Sequence, residues 1–148
     1  MDRLMFLTHV GATLAMTGMI WFIQVVHYPL LQCVGPSSFA AYEAAHVRAT
    51  IRVAVSVMVV ELGSGWALLF WRWRPPGVSL SQVIIGLVLL GVVWLSSMML
   101  QVPQHAALER GFDPAAHRRL VTTNWIRTVV WSARSLLVLW MVAGAMAA

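Results

Sequence analysis

Four long stretches of mainly apolar residues, separated by short breaks, constrain this chain more than any other feature. They run Leu4 to Leu31, Thr50 to Trp71, Val78 to Leu100 and Leu120 to Ala147. Each reaches the roughly 20 residues that an α-helix needs to cross a bilayer. Barrel strands would be about 10 residues long and would alternate in polarity, which these blocks do not. Only 10% of the 148 residues are charged and 60% are hydrophobic, against about 25% charged in a soluble domain. The sequence therefore predicts an all-α fold: an antiparallel four-helix transmembrane bundle in the cell membrane, multi-pass, with both termini on one side.

The first block is too long for the apolar core of a signal peptide and carries His9, Thr13, Thr17 and Gln24, so it reads as a retained helix. A single cysteine, Cys33, excludes an internal disulfide and a cysteine-rich metal site. The net charge of +5 comes with no basic run and no lysine. Its arginines sit at helix ends and in loops, which argues against nucleic acid as a partner. Trp71 and Trp73, beside Arg72 and Arg74, suit a membrane interface.

The breaks are punctuated clearly. Gly35 and Pro36 stop the first helix, with the pair Ser37 and Ser38 able to cap the next; Pro75 and Pro76 separate the second from the third. Gly111 can end the third helix, and Asp113 followed by Pro114 is a good cap and first turn for the fourth. The expected helices are 4–32, 39–72, 78–110 and 114–147, in a single domain over 1–148. Several exceed what a bilayer needs, so they are expected to project beyond it on the side of the 33–38 and 111–113 loops. Pro103 should kink the third helix near that edge. Counting arginines favours that side as cytoplasmic. Several of those arginines are site candidates, however, so the count does not fix the orientation.

Polar residues fall in one stripe per helix at 100° per residue. The stripes are His9, Thr13, Thr17, Gln24 and His27; then His46, Thr50, Glu61 and Ser64; then Trp94, Ser97, Gln101 and His105. The fourth is His117, Asn124, Arg127, Thr128, Trp131 and Arg134. In lipid such stripes must face one another or a wet cavity. Counting from the loops puts His27, His46, His105 and His117 in an outer layer, with Gln24, Thr50, Gln101 and Asn124 below it. Arg127 comes next, and Glu61 and Arg134 lie deepest. The expected picture is a pocket open at one end, ringed by imidazoles, with an ion pair toward its floor.

From that picture His27, His105, Asn124 and Arg127 are the candidate catalytic residues, and Gln24, Gln101, Thr128 and Trp131 the candidate substrate contacts. Each has a plainer reading. Glu61 with Arg134 is most simply a structural buried ion pair, although a buried carboxylate can also carry protons. Gln24, Gln101 and Asn124 can merely cross-link helices, and histidines at helix ends can sit in water. Ligation of a metal ion or haem by His27, His46 and His105 is a further expectation, with His27 and His105 the favoured pair. Glu43-Ala-Ala-His46 has the spacing of di-iron bundles, but the chain lacks the second motif and extra carboxylates those need. Glu43 is expected to be exposed, beyond the membrane.

Three segments resemble one known family. GMIWFIQVVHYPLL (Gly18 to Leu31) is similar to the first helix of the anthrone oxygenase-like family of small four-helix membrane proteins. LQVPQHAAL (Leu100 to Leu108) resembles that family's Asn-Val-Pro-x-Asn segment at the end of helix three. NWIRT (Asn124 to Thr128) is similar to its helix-four motif, an Asn followed three residues later by Arg-Thr. The resemblance covers most of the chain in the same order and implies that Pro29, Pro103, Asn124, Arg127 and Thr128 are family positions. Two departures alter the implied pocket: His105 stands where the family has asparagine, and His27 is not the family's norm before the helix-one proline. Most members have no assigned activity, and the named fungal ones are linked to oxidation of polyketide anthrones.

Three functional expectations follow. The first is an oxidoreductase or oxygenase-like enzyme acting on a hydrophobic aromatic or quinone-like substrate, with Arg127 and Asn124 binding an oxygen and histidines moving protons. The second is a non-catalytic subunit of a larger membrane complex, presenting Trp66, Trp71 and Trp140 to a membrane-protein partner. The third is a small-molecule or proton transporter, which would require a homo-oligomer because four helices enclose little space.

Overall fold

The computed structural model describes residues 2–148, and those residues are helical without strands. Four long helices follow one another. We number them α1 (residues 2–33), α2 (residues 36–67), α3 (residues 80–108) and α4 (Pro114–Ala147).

Local chemistry sets the helix ends. α2 starts at Pro36, with Gly35 as the flanking residue and no side-chain cap, so the neighbouring serines are inside the helix rather than capping it. It stops at Ala67, short of the expected 72. There the backbone tightens, with Leu69 N–H bonding Trp66 C=O and Phe70 N–H bonding Ala67 C=O. α3 is started by a capping box in which Ser79 accepts from the Gln82 N–H and Gln82 accepts from the Ser79 N–H. α4 is capped by Asp113, whose carboxylate accepts from the N–H groups of Ala115 and Ala116 at 2.7 and 3.2 Å.

Each of the first three helices contains one π-helical segment: Ile23–His27 in α1, Ile51–Val55 in α2 and Ser97–Gln101 in α3. Two of them end two residues before a proline, Pro29 and Pro103. A proline inside a helix offers no N–H to the carbonyl four residues back and its ring crowds that carbonyl; a widened turn relieves both effects. In α2 there is no proline. The Ser56 hydroxyl instead donates to the Arg52 carbonyl at 2.6 Å, competing with the ordinary helical bond.

α1 packs against α2 and α4, and α4 packs against α3. One apolar core gathers Met16, Ile20, Leu31, Phe39, Leu108 and Leu120; a second gathers Phe6, Val10, Leu68, Val83, Val138 and Met141. At one end His27 stacks on His46, and Phe39 meets Phe112 with ring centroids 5.0 Å apart. At the other end Gly77, in the left-handed region with φ +79°, lies backbone to backbone against Gly144. The outer faces are apolar and exposed, as at Leu7, Val88, Leu136 and Trp140. By length and composition α1, α3 and α4 are apolar enough to cross a membrane. α2, which carries Glu43, Arg48, Arg52 and Glu61, is not among them.

Candidate functional site

The three π segments stand around a cavity of about 450 Å³. Met16, Ile20, Met58 and Trp131 line it with apolar surface, and Tyr28, His46, Thr50, Ser97, Gln101, His105 and Arg127 bring polar atoms to it. This volume lies within the roughly 300–1,000 Å³ typical of small-molecule sites, as does the pattern of an apolar wall with few polar groups.

Four of them, His105, Tyr28, Arg127 and Ser97, belong to one connected chain, while His46 pairs with Thr50 and Gln101 bonds Ser96 and Thr123. Glu43, fully buried, places Oε1 2.6 Å from His105 Nδ1. A carboxylate accepts there, so the proton sits on Nδ1 and Nε2 is left free to accept. The Tyr28 hydroxyl lies 2.9 Å from that Nε2 and also receives a hydrogen bond from Arg127 Nη2 at 3.2 Å. Arg127 is held in turn by Asn124 Oδ1, which accepts from Nε at 2.8 Å and from Nη2, while Ser97 Oγ accepts from Nη1 at 3.3 Å. Asn124 donates to Gln24 Oε1 at 2.8 Å, and Gln24 donates to the Val121 carbonyl at 3.2 Å. Among the described residues no carboxylate lies within ion-pair distance of Arg127. Trp94 Nε1, on the cavity wall, is buried without a hydrogen-bond partner.

Beneath the cavity lies a second polar layer. Arg134 pairs with Glu61, with Nε 3.0 Å and Nη2 2.9 Å from Oε1, and donates through Nη1 to the Gly86 carbonyl. Thr13 and Trp131 donate to the two oxygens of Glu61 at 2.8 and 3.1 Å. His9 Nδ1 lies 3.2 Å from the Glu61 carbonyl, which can only accept, so that nitrogen carries a proton. The space left beside Arg134 and His9 is about 10 Å³, barely one water molecule.

Against the sequence reading, the cavity gathers His105, Arg127, Gln101, Trp131 and His46. Gln24 and Asn124 stand behind the wall as supports for Arg127, and Thr128 returns its hydroxyl to the Asn124 carbonyl at 3.1 Å. None of these three lines the cavity. Nor does His27, which stacks on His46 with ring centroids 4.3 Å apart. His117 is buried, with Nε2 2.8 Å from the Tyr28 carbonyl, rather than standing in water. Glu43 is likewise buried and paired, not exposed. The stacking of His27 on His46 gives ligation by His27, His46 and His105 no support: among the described residues, no three His, Cys, Asp or Glu side chains converge as metal donors.

Two site residues escaped the sequence reading, Tyr28 and Glu43. Glu43 lies three residues before His46 and so extends the α2 stripe by one turn, a signal the sequence did carry. Tyr28 carried a weaker one: uniform helical spacing puts it about 100° from His9 and His27 but only about 20° past Thr17, at the edge of the α1 stripe.

No family model, curated protein or solved structure matches the chain. The three similar segments gain no further support from such comparison. What the site does must be argued from its own chemistry.

Proposed function

We propose that this is a multi-pass membrane protein, an antiparallel bundle in which all four helices cross the bilayer. In this reading it is an oxidoreductase that binds a hydrophobic phenol, quinol or quinone-like aromatic in the cavity between α2 and α3. Support for the membrane comes from the apolar outer faces and from three helices of spanning length and composition.

The observation that carries the chemical reading is Arg127, a cation without a carboxylate, braced by neutral acceptors at the edge of a mostly apolar cavity. An uncompensated guanidinium in such a place favours an anion, and a phenolate or enolate oxygen supplies one in an otherwise apolar ligand. Glu43, His105 and Tyr28 form the complementary acid-base arm: Glu43 orients His105, whose Nε2 takes the ligand's proton by way of the Tyr28 hydroxyl bonded to it. Deprotonation makes an electron-rich aromatic a better donor. A quinol that gives two electrons and two protons to dioxygen becomes the quinone, with hydrogen peroxide as co-product.

The packed layer of Trp131, Glu61 and Arg134 supports a closed-ended binding site over a transport path. The test is oxygen consumption by the purified protein in lipid nanodiscs with decyl-hydroquinone or an anthrone. Turnover abolished by Arg127→Ala is expected; absence of both turnover and saturable binding of either compound would overturn the reading.

A further inference from the structure

The cavity has a side opening. Ile51, Val55, Met98 and Val102 all line it, yet their exposures are 53%, 38%, 59% and 59%. They are therefore walls and outer surface at once. Their positions say why. α2 and α3 make their principal contacts through Pro36–Thr50 with Val102–Leu108 and through Ser56–Ala67 with Leu80–Ser96. Between those two contacts the π segments Ile51–Val55 and Ser97–Gln101 stand on opposite sides of the cavity. All four lip residues are apolar, so the opening offers nothing to a hydrated ligand.

We infer that the ligand is an amphiphile: an acidic aromatic head lies against Tyr28, His105 and Arg127, and a flexible hydrocarbon tail leaves between Ile51 and Val55 of α2 and Met98 and Val102 of α3. This rests on the cavity being a site for a phenol or quinol, as proposed above, and adds the tail and its route. Lipid chains are as apolar as these lips, so the tail gains little by moving from bilayer to portal. What it provides is delivery, holding the head in the membrane at the depth of the opening. A ligand without a tail would have to find an opening whose four lips are all apolar.

The experiment uses the full chain in lipid nanodiscs and a decyl-hydroquinone bearing a diazirine at the far end of its tail. After illumination, adducts are mapped by mass spectrometry. Adducts are expected at residues 51, 55, 98 and 102, at least tenfold above the equally lipid-facing Leu7, Val88 and Leu136. Excess untagged decyl-hydroquinone, and separately Arg127→Ala or the shape-conserving Tyr28→Phe, should lower them by tenfold or more. Adducts at Met16, Ile20 and Met58 would put the tail inside the cavity and overturn the portal while leaving the binding site standing. Labelling spread evenly over all outer faces and unchanged by competitor or substitution would overturn both.

Discussion

Arg127 and Arg134 lie two turns apart on α4 and are held in opposite ways. Arg134 is fully buried against the carboxylate of Glu61, whereas Arg127 is held by Asn124, Ser97 and Tyr28, all uncharged. The first arrangement is complete in itself. The second leaves a positive charge to be matched by something that enters the cavity.

That contrast separates binding from stability. Arg127→Lys keeps the charge but cannot span three acceptors with one ammonium. Affinity for decyl-hydroquinone, measured by equilibrium binding in nanodiscs, should fall roughly tenfold to a hundredfold, the loss of about 1.5–3 kcal/mol attached to a hydrogen bond with a charged group. The thermal midpoint should change little.

Glu61→Gln should do the reverse. Removing one partner of a buried pair costs about 3–5 kcal/mol, because the other charge is left uncompensated. The double variant Glu61→Gln, Arg134→Met should be less destabilised than the sum of its single changes. Unfolding of the four proteins in detergent checks this, and equal additive losses would count against the pair as a coupled unit.

The Glu43–His105 contact gives a kinetic prediction. Glu43→Leu removes the acceptor that fixes the His105 tautomer, and His105→Phe removes the base itself. If the acid-base arm works as described, turnover should drop about a hundredfold for either, with KM nearly unchanged, since general base catalysis typically contributes about 10²–10⁴-fold. A change in KM alone would assign both residues to binding.

Gly77 and Gly144 provide a test far from the cavity. A Cβ on Gly144 would come within 2.6 Å of the Gly77 carbonyl oxygen, a backbone atom that cannot swing aside. Gly144→Ala should lower stability by about 1–3 kcal/mol through overpacking. Gly91→Ala, where a Cβ meets nothing within 4 Å, is the matched control and should be neutral or mildly stabilising.

The sequence made the helical class legible through its apolar blocks, and Asp113-Pro114 marked the start of α4 at its observed position. Arg127, His105 and Gln101 were also legible, because polar side chains in an apolar helix fall into a stripe. Tyr28 was less so. Uniform 100° steps aim His27 inward, but the π segment Ile23–His27 adds a residue to the turn. The observed helix therefore buries Tyr28 to 3% exposure and leaves His27 beside His46. Glu43 was missed for a different reason: counting depth from the loop made an acid look wet, and nothing in one sequence reveals that His105 of α3 lies opposite.

The widened turn of α2 has a consequence for how such a chain can vary in length. In an ordinary helix, deleting one residue swings every side chain beyond it by about 100° and scrambles the inner face. Within 51–55, which no proline follows, a deletion instead restores ordinary α pitch and leaves the flanks facing as before. Single-residue loss there should spare the bundle while reshaping one wall of its interior, so this helix can change its chemistry by a codon of length and keep its architecture.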